Sequence, residues 1–161
     1  MKSTTPRRPA QVAICRPATI DDLPELLCMM QELAHHEGDA AELLTDATAL
    51  AQAGFGESLR FGAVLGEVDG ALAGFVSYTW TYSVWRDAKL MNLDDVYVRA
   101  GYRNGGIGEA LMQHVRSVAR AAGASRLRWE AKPHNNGAIR FYERLGAPMR
   151  LKSVFFWPVR P

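Results

Sequence analysis

The loop at residues 103–108 has a composition suited to binding an anion. It reads Arg103-Asn104-Gly105-Gly106-Ile107-Gly108 and lies between a predicted strand and a predicted helix. Glycines let the backbone turn tightly and come close to a ligand, and the first N–H groups of a helix have no acceptor within that helix. The positive end of the helix dipole adds to them and favours an anion. The loop is therefore a predicted cradle for a phosphate or pyrophosphate group.

Two common nucleotide-binding motifs do not fit this loop. No Gly-Lys-Ser/Thr triplet closes it, which excludes the P-loop of ATP-binding proteins. The GxGxxG spacing of dinucleotide-binding proteins is also absent, and the loop comes late in the chain rather than in a first strand–helix–strand unit. A purely structural alternative stays open, in which the glycines only form a tight turn.

A second group of reactive side chains lies at the predicted end of a helix, at His35, His36 and Glu37. Adjacent residues on a helix point in different directions and do not face a common centre. Cys15 and Cys28 lie in different predicted elements and form neither a CxxC motif nor a disulfide framework. The sequence therefore predicts no metal site, and its cysteines suit a reducing cytoplasm.

Hydrophobic periodicity and turn residues place these groups on alternating strands and helices. Asp69-Gly70 joins two strand-like runs and predicts an antiparallel hairpin. Alternating strands and helices near the end of the chain add parallel pairing. We therefore expect an α/β protein (α+β in some classifications) with a mixed, mostly antiparallel central sheet flanked by helices. The predicted strands are 11–16, 61–68, 71–83, 89–98, 126–131 and 153–159. The predicted helices are one capped by Thr19 and reaching 36, one capped by Thr45 and reaching 52, and those at 107–122 and 136–145.

The composition is that of an ordinary globular protein. The chain has 161 residues, 48% of them hydrophobic and 22% charged, with a formal net charge of +2. So small a net charge gives no indication of nucleic acid as a partner. No apolar run is long enough for a signal peptide or a membrane span. We expect a disordered, solvated arm over 1–10 and a single domain over 11–161.

Two motifs together resemble the GNAT superfamily of acetyltransferases. Arg103-x-x-Gly106-x-Gly108 is similar to its pyrophosphate-binding signature, and Asn135-x-x-Ala138-x-x-Phe141-Tyr142-x-x-x-Gly146 is similar to its second acetyl-CoA segment. Further segments, from Glu32 to Glu37 and from Leu93 to Val98 among them, resemble the spermidine/spermine N-acetyltransferase branch. The resemblance covers roughly 12–147. It implies the GNAT fold, acetyl-CoA as co-substrate, a primary amine as acceptor and a homodimer, with no metal.

The resemblance also implies which residues contact coenzyme A. Backbone groups of Val96, Tyr97 and Val98 would hold the pantetheine arm. The pyrophosphate would be held by Arg103, Asn104, Gly105, Gly106, Ile107, Gly108 and Glu109. The rest of coenzyme A would contact Asn135, Asn136, Gly137 and Ala138.

The catalytic residues implied by the resemblance are Asp94 and Tyr142. A primary amine has a pKa near about 10.4, so almost all of it is protonated at neutral pH and cannot attack a thioester. Asp94 aligns with a family glutamate proposed to remove that proton or to position the amine, here through water because aspartate is shorter. Tyr142 aligns with the family's general acid, which protonates the departing thiolate. A backbone N–H near Tyr97 or Val98 would stabilise the charge on the acetyl oxygen.

The acceptor amine would be held by acidic and aromatic residues. The resemblance places His36, Glu37, Asp94 and Asp95 at the amine; for Trp80, Tyr82 and Trp85, cation–π contact and plain packing both stay open. Ser83 stands where the related enzymes have an acid, and the stretch 150–157 offers Arg150 and Lys152 but no carboxylate. This charge pattern favours a shorter amine, such as lysine or its thia-analogue, over a polyamine. A non-catalytic acyl-CoA sensor and a protein or peptide acetyltransferase are the alternatives.

Overall fold

The computed structural model describes residues 12–159, and these divide into two compact units. The larger unit extends to Trp129, and the smaller one begins at Glu130. The arm predicted at 1–10 lies outside the described residues, and the single domain over 11–161 stays a prediction. No helix among residues 12–159 has the length and apolarity needed to cross a membrane.

The larger unit is built on one five-stranded sheet in the order β1-β2-β3-β4-β5. β1 to β4 pair antiparallel with their neighbours, and β5 pairs parallel with β4. The predicted mixed, mostly antiparallel sheet is thereby confirmed. Asp69 and Gly70 both have positive φ, 50° and 78°, as a tight two-residue hairpin turn requires. The strands are β1 Ile14–Pro17, β2 Gly62–Val68, β3 Ala71–Ser83, β4 Ala88–Val98 and β5 Arg126–Arg128.

Three helices belong to the larger unit and one to the smaller. They are α1 Leu23–Glu37, α2 Ala47–Phe55, α3 Ile107–Ala121 and, in the smaller unit, α4 Asn136–Arg144. Thr19 caps a single 3-10 turn that precedes α1 rather than α1 itself. The predicted cap of α2 was wrong by one residue, because Asp46 rather than Thr45 accepts the N–H of Ala49, at 2.8 Å.

The sheet carries apolar side chains on both faces, and each face is covered by a helix. On one face Leu26 and Met29 of α1 pack against Phe75 and Tyr97. On the other face α3 lies so close to β2 that a Cβ built on Gly66 would come within 3.3 Å of Leu111. The two helices therefore fix β3 and β4 firmly between them.

The prediction of a strand at 153–159 is wrong. Residues 151–159 form no strand, and Phe155, Phe156 and Trp157 are 90%, 91% and 94% exposed. A strand needs a neighbour for its backbone N–H and C=O groups, and the five described strands pair without this segment. The apolar residues of 153–159 are typical of a strand, but they do not indicate whether a neighbouring strand is present.

Candidate active site

The far end of β4 has an unpaired edge. β3 pairs with β4 as far as Val98, whereas β5 pairs only with Leu90, Met91 and Asn92. Beyond Asn92 no described strand lies along the second edge of β4. Backbone groups there are suited to pairing with the amides of an extended ligand, as predicted for Val96, Tyr97 and Val98.

A β-bulge interrupts β4 at the start of this free edge. Ser77 pairs with Asp95 and Tyr78 with Leu93, so Asp94 is the extra residue. Bulges re-aim the side chains beside them and are frequent next to active sites. The sequence motif did not reveal the bulge, although two consecutive aspartates within an apolar strand are unusual.

The two aspartates of the bulge have different surroundings. Asp94 is exposed, and its Oδ1 accepts a hydrogen bond of 2.8 Å from the side-chain Nδ2 of Asn92. Asp95 is partly buried, and its Oδ2 accepts a hydrogen bond of 2.5 Å from the Ser77 hydroxyl. Burial raises the pKa of Asp95, the Ser77 hydrogen bond opposes this, and the charge of Asp94 raises the pKa further. The pair thus consists of one solvated and one sheltered carboxyl.

The glycine loop follows β4 and leads directly into α3. Asn104 and Gly106 have positive φ, 65° and 89°, which turns the chain into the helix. The N–H of Ala110 donates to the carbonyl of Gly106 at 3.0 Å, so the N–H groups of Ile107, Gly108 and Glu109 precede the first internal bond of the helix. Gly106 contributes no side chain to cap them. Free N–H groups at the start of a helix favour an anion, and pyrophosphate binding by this loop stays a prediction.

Arg103 joins the loop to the strand. Its Nε donates to the carbonyl of Val98 at 2.8 Å, and its guanidinium lies 5.8 Å from the centre of the Tyr97 ring. The arginine of the motif therefore holds the loop against the end of β4. Whether its remaining nitrogens also reach a phosphate stays a prediction.

A charged cluster that the sequence did not reveal secures the same strand end to α1. Arg99 lies 2.6 Å from a carboxylate oxygen of Glu25 and 2.8 Å from one of Glu32. The Tyr97 hydroxyl donates to Glu32 at 3.2 Å. The hydrogen bonds from Arg99 hold the pKa of Glu32 below its usual range. These contacts join residues far apart in the sequence, and no local pattern indicates them.

The smaller unit contains the second predicted segment. The side-chain oxygen of Asn135 accepts a hydrogen bond from the N–H of Ala138 at 3.1 Å and so caps α4. Asn136 and Gly137, in the first turn of α4, are exposed. Tyr142 is partly buried on α4, with its ring centre 5.2 Å from that of Phe141. The coenzyme A contacts of this segment stay a prediction.

Besides Asp94 and Asp95, the residues predicted at the amine are in the last turn of α1, and the aromatic residues whose role stayed open lie at the β3–β4 hairpin. His36 is exposed and Glu37 partly buried in the last turn of α1. On the β3–β4 hairpin, Lys89 places its Nζ 4.0 Å from the centre of the Trp80 ring, so an internal cation already contacts that ring. Trp85 at the hairpin tip is 99% exposed. Within residues 12–159, no three His, Cys, Asp or Glu side chains are grouped so as to hold a metal ion.

The comparisons with known proteins agree with this fold and identify the family. The model of the acetyltransferase (GNAT) family matches residues 25–147, so this chain belongs to that family and is an acetyltransferase. A thialysine N-epsilon-acetyltransferase of Bos taurus is 31% identical over 140 residues, which cover 82% of each protein. The spermidine/spermine N(1)-acetyltransferase-like protein 1 of Homo sapiens is 32% identical over 151 residues, which cover 88% of this chain and 21% of that protein.

A solved structure shows the same fold at low identity. An aminoglycoside acetyltransferase from an uncultured soil metagenomic sample, in complex with sisomicin, matches with a TM-score of 0.77 at 13% identity. The match covers 92% of this chain and 97% of that one. This likeness shows the fold, and the family match over residues 25–147 confirms the GNAT family predicted from the two motifs.

Replacing Gly106 by Val is expected to weaken acetyl-CoA binding by about tenfold or more. A Cβ at this position meets open space, so the effect comes from the backbone: a φ of 89° is strained for a β-branched residue. Strain of about 1–3 kcal/mol is typical, and about 1.4 kcal/mol corresponds to tenfold in affinity. Isothermal titration calorimetry of wild type and variant with acetyl-CoA measures the change in Kd.

Gly101→Val is the matched control for this variant. A Cβ at Gly101 also meets open space, but its φ is not positive, so affinity should stay near that of the wild type. Unchanged affinity in Gly106→Val would show that the loop conformation does not form the anion site.

Proposed function

We propose that this chain is an acetyl-CoA-dependent N-acetyltransferase that acts on a primary amine of a small molecule by direct transfer in a ternary complex. The observation that carries the proposal is one continuous arrangement in the larger unit. The unpaired edge of β4 starts at a bulge with two carboxyls and leads into a helix start with unsatisfied N–H groups. The acceptor amine would lie at the two carboxyls, the pantetheine arm and thioester along the free edge of β4, and the pyrophosphate at the start of α3.

The residues present fit coenzyme A. Backbone groups of Val96, Tyr97 and Val98 would pair with the amides of the pantetheine arm. Arg103 holds the strand end and the loop together, so the N–H groups of residues 104–109 can bind the pyrophosphate as a preformed set. Asn135, Asn136, Gly137 and Ala138 would contact the remainder of the molecule.

The carboxyls of the bulge would receive the proton of the acceptor. The arriving amine is an ammonium ion, and an anionic carboxylate both attracts it and accepts its proton, directly or through one water. Glu37 and His36 in the last turn of α1 would help to hold the amine. The nitrogen then carries the lone pair that attacks the thioester carbon.

Acetyl transfer requires two further groups. Negative charge on the acetyl oxygen would be stabilised by a backbone N–H near Tyr97 or Val98. A C–N bond forms, the C–S bond breaks, and Tyr142 would give its phenolic proton to the departing sulfur. The nitrogen loses a second proton once the C–N bond has formed. Of the two protons that leave the nitrogen, one restores the phenol through solvent and the other is released, so that the carboxylate and the phenol return to their starting forms.

We expect the best acceptor to be a lysine-type amino acid. Ser83 is uncharged, and residues 150–152 supply two exposed cations, Arg150 and Lys152, which favour a substrate carboxylate and disfavour a polyamine. The similarity to thialysine N-epsilon-acetyltransferases supports the same choice. Steady-state kcat/KM should be about tenfold or more higher for thialysine or lysine than for spermidine, a ratio that corresponds to about 1.4 kcal/mol.

The variant Arg150→Glu tests whether the charge of Arg150 causes the preference for a lysine-type amine. Reversing one charge should lower the ratio of kcat/KM for a lysine-type amine to that for spermidine, while turnover with a monoamine that lacks a carboxylate stays nearly constant. A wild-type enzyme with a far higher kcat/KM for spermidine would contradict the lysine-type assignment.

The proposal also covers assembly and location. The exposed side chains of Phe155, Phe156 and Trp157 are suited to an interface with a second copy, which supports a homodimer. Cys15 and Cys28 are both free thiols, which suits a reducing cytoplasm. No nucleic acid or membrane is needed for the reaction.

A further inference from the structure

Ser77 has an unusual position for a hydroxyl. Among the Ser, Thr, Asn, Gln and charged side chains of residues 12–159, only that of Ser77 is buried, at 6% exposure. Burying a hydroxyl is unfavourable unless it forms a hydrogen bond. Its one hydrogen bond in the structure is the 2.5 Å contact with Oδ2 of Asp95. An apolar residue would suit the surrounding core better, so this contact is the evident reason for a serine.

The register of the sheet places the pair at the bulge. Ser77 lies directly opposite Asp95, two positions from the Phe75–Tyr97 pair. Side chains two positions apart on a strand share a face, and Phe75 and Tyr97 belong to the cluster beneath α1. Ser77 and Asp95 therefore lie on the α1 face of the sheet, the face whose helix ends with His36 and Glu37.

The hydrogen bond fixes one oxygen of Asp95 and leaves the other available. Oδ2 is held by the hydroxyl, and no donor among residues 12–159 reaches Oδ1. Asp94, in contrast, is exposed on the bulge with its Oδ1 bound to Asn92. A sheltered carboxylate with one oriented free oxygen is a better proton acceptor than a solvated one.

We propose that Ser77 is a positioning residue for Asp95, and that Asp95 rather than Asp94 takes the proton from the ammonium form of the acceptor. The proposal rests on the N-acetyltransferase function proposed above. In this step an N–H bond of the ammonium ion breaks, the proton goes to Oδ1 of Asp95, and the electron pair stays on the nitrogen. Asp94 attracts the cation as it arrives.

The electrostatics around Asp95 give the sign of the expected effect. Its pKa is raised by burial and by the neighbouring charge of Asp94, and lowered by the hydroxyl of Ser77. The helix α1 packs on the same face of the sheet as Asp95. Its charged and titratable side chains Glu25, Cys28 and Glu32 contact Arg99, which follows the C-terminal end of β4. Removing the hydroxyl should therefore raise the pKa of Asp95, and the base would become active only at higher pH.

The test compares two variants of equal shape, Ser77→Thr and Ser77→Val, which differ in the hydroxyl. The pH profile of kcat/KM for an accepted amine should have its acid limb about one pH unit higher in Ser77→Val, since a hydrogen bond to a charged group has about that effect. Ser77→Thr should keep the limb near the wild-type position. Equal limbs in the two variants would overturn the proposal.

A second measurement needs no substrate. Carboxyl ¹³C NMR titration, with the Asp95 signal assigned by Asp95→Asn, should give a higher pKa in Ser77→Val than in Ser77→Thr, and equal values would overturn the proposal. If the wild type acetylates no amine, the proposed function fails, and the titration still decides whether Ser77 controls Asp95. An acid limb that persists in Asp95→Asn and disappears in Asp94→Asn would assign the proton to Asp94.

Discussion

Replacing Tyr142 by Phe is expected to lower kcat by about 10²–10⁴-fold while KM for acetyl-CoA changes little, because general acid catalysis contributes about that factor. The substitution removes one oxygen and keeps the ring that packs at 5.2 Å against Phe141. Without the phenol, the sulfur must leave as an unprotonated thiolate. Steady-state release of coenzyme A thiol with a good acceptor amine measures the loss.

Phe141→Leu separates chemistry from packing in this experiment. It disturbs the same ring contact but removes no proton donor, so its kcat should fall far less than that of Tyr142→Phe. Equal losses in the two variants would contradict the assignment, because the loss in Tyr142→Phe could then not be ascribed to the missing proton donor. Full kcat in Tyr142→Phe would show that another group protonates the sulfur.

Replacing Asp95 by Asn is expected to lower kcat/KM for the amine by about 10²-fold or more at neutral pH, within the usual range for loss of a general base. The amide has the shape of the carboxyl but cannot take a proton at neutral pH. The rate of Asp95→Asn should climb as the pH approaches about 10.4, where the amine loses its proton unaided. A pH series of kcat/KM measures both effects.

Asp94→Asn is the paired variant on the same bulge. It should mainly raise KM for the amine, because the outer carboxylate attracts the cation, and its profile should keep the acid limb. A larger fall in kcat/KM for Asp94→Asn than for Asp95→Asn would reverse the roles of the two aspartates.

Much of the fold was predictable because its signals are local. Asp69-Gly70 determines the hairpin, and β3 has the bounds expected from its apolar run. The glycines at 105, 106 and 108 predicted the start of α3 at Ile107. Each of these features depends on a few residues close together in the sequence.

The features that sequence reasoning missed depend on distant partners. The strand predicted at 153–159 had an apolar pattern but no neighbouring strand in the structure. The bulge at Asp94 is a register shift between β3 and β4, which only the pairing of the two strands reveals. The Ser77–Asp95 contact and the Arg99 cluster likewise cross between elements, so a single sequence did not indicate them.

Transfer of a labelled acetyl group is the most direct test of the proposed function. The enzyme is incubated with ¹³C-acetyl-CoA and a panel of lysine-type amines, polyamines and basic peptides, and the products are analysed by mass spectrometry. The proposal predicts labelled acetyl on the nitrogen of a lysine-type amine, with one coenzyme A thiol released per product. Binding of acetyl-CoA with no labelled product on any amine would contradict it and indicate an acyl-CoA sensor, and label confined to the peptides would indicate a protein acetyltransferase.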